Sequence, residues 1–402
     1  MRKYRLILLF IAVHNIIQAQ TPRIDSLRGE LGKQKADSIK VHDRIRISWY
    51  LADMRDSAQA WKYRNEADSI ANKTNNPVLK GIVLEHTGFL YNRQFSKKAI
   101  SYYLEAQHIL KNYPNSMAAK KSMASLGLNI GIEHMNVNDD AGALPYYFDA
   151  VQRYDAMDTN SNNLPLLYGN IINSYYNLGK YESALSYCEK AYKKSMAGSN
   201  ATAKMSASMN YGRVLLKLNR IPESDFYFGV GKKIADSLNS YYFQSKYYQV
   251  LGDDAFNKEQ FEKALGYFSA ALPVIKLTNA PYDIAACYIW MGACNAGIKK
   301  FEPAKKYLDS AYLITKQYEY TNLLKDVYLN RYHLYKKAGQ YHEAIIQLDS
   351  FNVINDSLQL AANADKLQFL DAKYQAEKKK RRSINCRRIK RYKGLTWKER
   401  MR

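Results

Sequence analysis

The chain has 402 residues, 47% of them hydrophobic, with 35 Tyr, only 9 Pro and a formal net charge of +23. That length and apolar content allow an extensive core, and the Pro-poor, Tyr-rich composition excludes a low-complexity or disordered polymer. The charge does not mark a folded basic face. Thirteen Lys/Arg between 378 and 402 stand against one acid, Glu399, so the main compositional argument for a nucleic-acid-binding domain falls away.

The first element in chain order reads as an export signal. Arg2, Lys3 and Arg5 precede the apolar run 6–13, and Ala19 offers a small residue for cleavage before Gln20. These are the three parts of a secretory signal peptide. The expectation is a signal peptide at 1–19 and an exported, periplasmic mature chain, which also argues against nucleic acid as a partner. The run is too short to anchor the chain in a membrane. His14 and Asn15 interrupt it, and no Cys follows to carry a lipid.

From residue 20 to 352 the chain repeats. Ala184, Ser224, Ala264, Ala304 and Ala344 are spaced 40 residues apart, and Tyr181, Ile221, Phe261, Phe301 and Tyr341 precede them by three. A fixed period of this size means stacked supersecondary units. One unit reads Tyr248, Leu251, Gly252, Phe256, then Phe261, Ala264, Phe268 and Ala271. Gly131, Gly212 and Gly292 fall at the same place in other units. Small residues there let two helices approach, and the large ones fill the space beside them. Glu223 and Glu302 fall in the predicted first turn of the second helix, where acids favour the dipole. The apolar stretch 284–298 keeps the register and reads as a buried helix of the stack.

These residues resemble the tetratricopeptide repeat, whose pattern is W-x2-L-G-x2-Y followed by A, F and A. The resemblance covers about 41–352. It implies an all-α fold, an α-solenoid of about eight helix hairpins, with a long C-terminal helix read separately from the spacing that follows. The period of 40 exceeds the family's 34, so either helices or turns are longer. Ile172 and Tyr332 replace the small residue of the first helix, and Phe351 replaces a later Ala.

The resemblance also implies where binding occurs. In the family, the concave face is lined by the first helix of each unit. Carried over by position, that face holds Asn136, Asn173, Tyr176, Asn177, Arg213, Lys217, Asp253, Asn257, His333 and Lys337. Arg213 and Lys217 are four apart and share a helix face. With Asn173 and Asn177 they could hold an anionic peptide terminus; a plain solvated polar face is the other reading. The abundant Tyr fall mostly on repeat positions and read as core aromatics with the hydroxyl at the edge, an aromatic peptide groove being the alternative.

Nothing in the sequence arranges catalysis. The seven His (His14, His42, His86, His108, His134, His333, His342) form no H-E-x-x-H, and residues 229–233 lack the leading Gly and closing Ser/Thr of a phosphate loop. Cys188, Cys287, Cys294 and Cys386 form no C-x-x-C; the first three read as small apolar core residues. The expectation is no enzyme, no cofactor and no metal, with a protein or peptide as partner.

Beyond 352 the ruler stops. Val353, Leu360, Leu367 and Tyr374 recur every seven residues, with Leu370 between. This predicts an amphipathic connector helix at 353–382. It either caps the stack or pairs with a second copy as a homodimer through 353–380. A basic, disordered tail is expected at 383–402, with membrane contact as one role for it. Signal, repeats and connector together resemble the sensor half of exported tetratricopeptide signalling proteins of Bacteroidetes-type bacteria. In that family a membrane helix follows, then a histidine kinase or DNA-binding output domain. The resemblance implies a sensor of a two-component system truncated before its membrane helix. A stand-alone periplasmic scaffold for envelope assembly is the alternative.

Overall fold

The computed structural model describes residues 22–33, 36–54, 56–93, 98–157, 163–278 and 280–400, with backbone alone at 93, 376, 377 and 379–400. The signal peptide expected at 1–19 lies outside these residues. Every element among them is a helix. After α1 (22–31) come eight hairpins. They are α2 (Asp37–Asp53) with α3 (Ser57–Lys73), α4 (Pro77–Arg93) with α5 (Ala99–Leu110), and α6 (Met117–Asn136) with α7 (Asp140–Ala156). Then follow α8 (Asn163–Asn177) with α9 (Tyr181–Ala197), α10 (Ala201–Lys217) with α11 (Ile221–Ser237), and α12 (Tyr241–Asn257) with α13 (Phe261–Leu277). The last are α14 (Pro281–Gly297) with α15 (Phe301–Gln317), and α16 (Thr321–Lys337) with α17 (Tyr341–Arg400).

The period of 40 comes from helix length. Helices α9 to α16 are each 17 residues, about 25 Å long at 1.5 Å per residue. Seven of the described turns close the same way. At the end of α10, Asn219 N–H reaches Leu216 O (3.1 Å) and Arg220 N–H reaches Leu215 O (3.0 Å). That is the Schellman pattern, which needs a left-handed residue after the cap. Gly179, Asn219, Asn239, Glu259, Lys299, Glu319 and Gly339 occupy that position, with φ between 49° and 76°.

Two compact units form: the chain up to Ser161 together with Ala364 onwards, and Asn162–Asn363. In the second unit, Ala184, Ser224, Ala264 and Ala304 are fully buried and Ala344 nearly so. Ser224 Oγ donates to Gly212 O at 2.9 Å, tying α11 to α10. The helix glycines are notches for side chains more than places where backbones touch. A Cβ on Gly212 would sit 2.7 Å from the Phe228 ring, one on Gly252 2.7 Å from Phe268, and one on Gly292 2.7 Å from Leu308. Where Ile172 replaces the glycine, the partner position in α9 carries Cys188 in place of Phe, and both are fully buried. Bulk has moved from one helix to the other while the filled volume is kept.

In the first unit, Gly131 receives Tyr147, and a Cβ added to Gly127 would lie 2.8 Å from the backbone oxygen of Tyr146. One core of this unit gathers Ile100, Tyr103, Leu110, Met123, Leu126 and Ile130 with Phe369 of α17.

Helix α17 differs from expectation in two ways. It continues through 383–400, where a disordered tail was expected; Lys and Arg are good helix formers and no Pro interrupts the run. The residue that packs is Phe369, 3% exposed, while Val353, Leu360 and Leu367 are 70%, 71% and 67% exposed. Phe369 lies two residues beyond Leu367, about 200° around the helix and so on its opposite side.

Candidate functional site

The 40-residue period places two rows on the first helices of the second unit. One row is Asn173, Arg213, Asp253, Ala293 and His333; the other is Asn177, Lys217, Asn257, Gly297 and Lys337. Asn136 has the corresponding place on α6, but α6 belongs to the first unit, where its side chain is exposed.

The structure brings three of the expected residues into one group. Arg213 Nη2 donates to Asn173 Oδ1 at 2.7 Å, a bond that spans one full period. The guanidinium carbon lies 4.3 Å from the centroid of the Tyr176 ring, a cation–π contact. One edge and one face of the guanidinium are thereby held, while its Nε is buried with no hydrogen-bond partner. Burial pulls the Arg213 pKa down, against Tyr176 and Cys188. The same burial raises the Tyr176 hydroxyl, with Arg213 opposing.

On the next rung, Asp253 Oδ1 is also buried without a partner. Burial pushes its carboxyl up to about 6, against the pull of Lys217 and Lys246. Lys246 itself bridges to Asp283 of α14 at 3.3 Å. An open donor and an open acceptor thus stand on neighbouring helices at one place in the repeat. Buried polar groups left open are costly, and each calls for a physical account.

The remaining expected residues do not join this group. Asn177 and Asn257 are exposed at their helix ends. Lys337 lies 5.5 Å from the Phe261 ring centroid. His333 is exposed and stands against Tyr332 at 5.0 Å; partial burial and Lys337 with Lys336 lower its pKa. Two asparagines one turn earlier escaped the sequence reading. Asn170 Nδ2 is buried without a partner, and Asn210 Nδ2 comes within 3.8 Å of where a Cβ on Gly169 would stand. Their spacing of 40 was the available signal. Cys188, Cys287 and Cys294 are buried, and burial raises each thiol to about 12. Among the described residues, no three His, Cys, Asp or Glu side chains converge to hold a metal ion.

No protein-family profile matches the sequence, and no characterised protein aligns with it significantly. Solved structures do resemble it. The apo quorum sensor NprR from B. thuringiensis is 17% identical with a TM-score of 0.62, over 88% of this chain and 98% of NprR. Apo RapI is 12% identical with a TM-score of 0.62, over 89% and 98%. A Rap protein complexed with competence and sporulation factor is 12% identical with a TM-score of 0.51, over 80% and 99%.

The fold is a tetratricopeptide-like α-solenoid. At these identities the likeness speaks for architecture alone. Among the described residues, no helix is long and apolar enough to cross a membrane; the apolar stretch 284–298 is essentially α14, packed against α13 through Cys287, Met291 and Cys294.

Proposed function

We propose that this chain is an exported interaction module, the sensor part of a signal-transduction system. Its partner is a protein or peptide, bound on the first-helix face of the second unit through an acidic group. The observation that carries this reading is Arg213, aligned by Asn173 and Tyr176 with its Nε donor unfilled. A planar guanidinium fixed in advance is suited to carboxylate recognition, because little of its freedom is lost on binding. The likeness to a quorum sensor and to a Rap protein solved with competence and sporulation factor supports a sensing role. The exposed stripe Val353, Leu360, Leu367 and Tyr374 on α17 supports onward pairing with a second copy.

The test is a peptide array displaying free C-terminal carboxylates beside their amides, probed with the chain from Gln20 onward. Binding of free acids that is lost in Arg213→Ala and only weakened in Asn173→Ala supports the reading. Equal binding by Arg213→Ala refutes it. Export is tested separately by cell fractionation and N-terminal sequencing, which should begin at Gln20.

A further inference from the structure

We infer that the contact between α17 and the first unit is a clasp that acid opens, with His134 as its pin. Residues 364–378 stay docked while the imidazole is neutral and lift away when it takes up a proton. The clasp is separate from the Arg213 face, which belongs to the other unit.

The seat is built around one ring. His134 is 2% exposed, in the last turn of α6. Its Nδ1 lies 2.8 Å from Asp139 Oδ2, while Asp139 Oδ1 caps α7 by accepting from Gly142 N–H at 3.0 Å. An ionised carboxylate only accepts, so Nδ1 carries the hydrogen and Nε2 of the neutral ring is a bare lone pair. That Nε2 is buried with no hydrogen-bond partner. The Tyr146 ring of α7 stands 5.1 Å away between centroids, and the Phe369 ring of α17 meets the imidazole edge to face at 4.9 Å and 77°. Ala372 packs on the same core. Lys373, one turn beyond Phe369 and half-buried, brings a positive charge to bear on the ring. A neutral imidazole suits this seat. A second proton, on Nε2, would be a buried donor with no acceptor, close to a like charge.

The groups around the ring decide the direction. Asp139 and Tyr146 belong to α7 and its cap, so both stay with His134 whether or not α17 is docked. Glu133, beside it on α6, accepts from Asn92 of α4. Tyr103 of α5 holds its proton, its hydroxyl raised by burial and by Glu133 and Glu85. On α17 the charge that acts on the ring is Lys373; Asp365 lies two turns before it. Undocking therefore removes a repelling ammonium, opens Nε2 to water and keeps the carboxylate that favours the proton. The open form binds the proton more tightly. In the docked form burial pulls His134 below its ordinary pKa, with Asp139 opposing and Lys373 adding to the fall. Burial raises Asp139, but the His134 bond, the Gly142 N–H and Lys373 outweigh it and hold the carboxyl low. By linkage, docking is at full strength above the pKa of the open form, about 6.5 for an ordinary histidine, and weakens as pH falls, by at most about tenfold per unit.

Two measurements on the chain from Gln20 onward test the clasp. In the first, the His134 ring resonance is titrated by NMR. Its midpoint should lie below about 6.5 in the parent and at or above that value in Phe369→Ala; equal midpoints overturn the clasp. In the second, amide exchange of 364–378 is divided at each pH by the rate of the unstructured peptide, which reads even rare openings. Protection should be level from about pH 8 to 7 and fall by up to about tenfold per unit below about 6.5. His134→Gln, which can still donate to Asp139, should keep it level. Glu85→Gln removes another group of this unit that titrates nearby, at about 7, and should keep the fall. Level protection in the parent, or a fall that persists in His134→Gln, refutes the clasp. Should His134→Gln fail to fold, the comparison of midpoints decides alone.

Discussion

Replacing Gly252 by alanine sets two opposing effects against each other. Gly252 is in the interior of α12, where alanine is favoured over glycine by about 1 kcal/mol. The new Cβ would meet Phe268 Cζ at 2.7 Å, Cε1 at 2.8 Å and Cε2 at 3.0 Å. Carbon atoms rest at about 3.5–4.0 Å, so the ring or the helix must retreat by roughly 0.8 Å or more. Phe268 has nowhere to go. It is fully buried and stacked on Trp290 at 5.7 Å and 7°. Overpacking of this kind costs about 1–3 kcal/mol, so the net expectation is a loss of up to about 2 kcal/mol. Gly266→Ala is the matched control, since Gly266 lies inside α13 with nothing within 4 Å of its Cβ site; it should gain up to about 1 kcal/mol. Stacked repeats need not unfold in one step. Amide exchange of α12 and α13 is therefore the primary assay, with urea midpoints followed by circular dichroism beside it. Gly252→Ala should speed exchange in that hairpin, and pairing it with Phe268→Leu should recover much of the loss. Gly252→Ala more stable than the parent would refute the notch.

Further outcomes follow from the same packing and electrostatics. Glu85 accepts from Ser122 Oγ, yet burial raises its carboxyl to about 7, with Ser122 and Ser125 opposing. A raised folded pKa means that stability is retained below about 4.5 and lost as pH climbs through 7. Glu85→Gln should therefore gain on the parent in thermal midpoint between pH 5 and 8, and a constant gap would contradict the burial argument. Lys299 takes a left-handed turn, φ 61°, that costs a non-glycine residue about 1–2 kcal/mol; Lys299→Gly should raise the urea midpoint by the equivalent of about 0.5–1 kcal/mol after its own entropy loss, and Lys299→Val should lower it. Cys188→Phe should overpack by about 1–3 kcal/mol beside Ile172, and adding Ile172→Gly should restore stability, measured as a double-mutant cycle. Phe369→Ala should accelerate amide exchange across 364–378, whereas Leu367→Ala, at an exposed position, should leave it unchanged; equal effects would mean that Phe369 is not what docks this part of α17.

The period was legible because it is local. Each 40-residue unit must supply its own notch, its own filler and its own turn, so the pattern recurs wherever the unit does. That spacing was enough to name the hairpins, their small buried residues and the rows holding Asn173, Arg213 and Asp253. It did not reveal that α9–α16 lengthen while the turns stay at three residues, since longer helices and longer turns give the same period. Nor did it reveal that Gly252 receives a ring, that Ile172 and Cys188 exchange bulk, or that Asn170 and Asn210 belong to the same face.

Tertiary structure alone decided the part of α17 that docks. The heptad stripe on Val353, Leu360 and Leu367 was the visible signal, yet it is Phe369, on the opposite side, that seats against His134 at 4.9 Å between ring centroids. One aromatic in contact with a distant helix has no periodicity to announce it. The same holds for charge. Sequence placed Arg213 and Lys217 on one helix face, but the unfilled Nε and the raised carboxyl of Asp253 arise from burial between helices, a property of packing that no spacing of residues encodes.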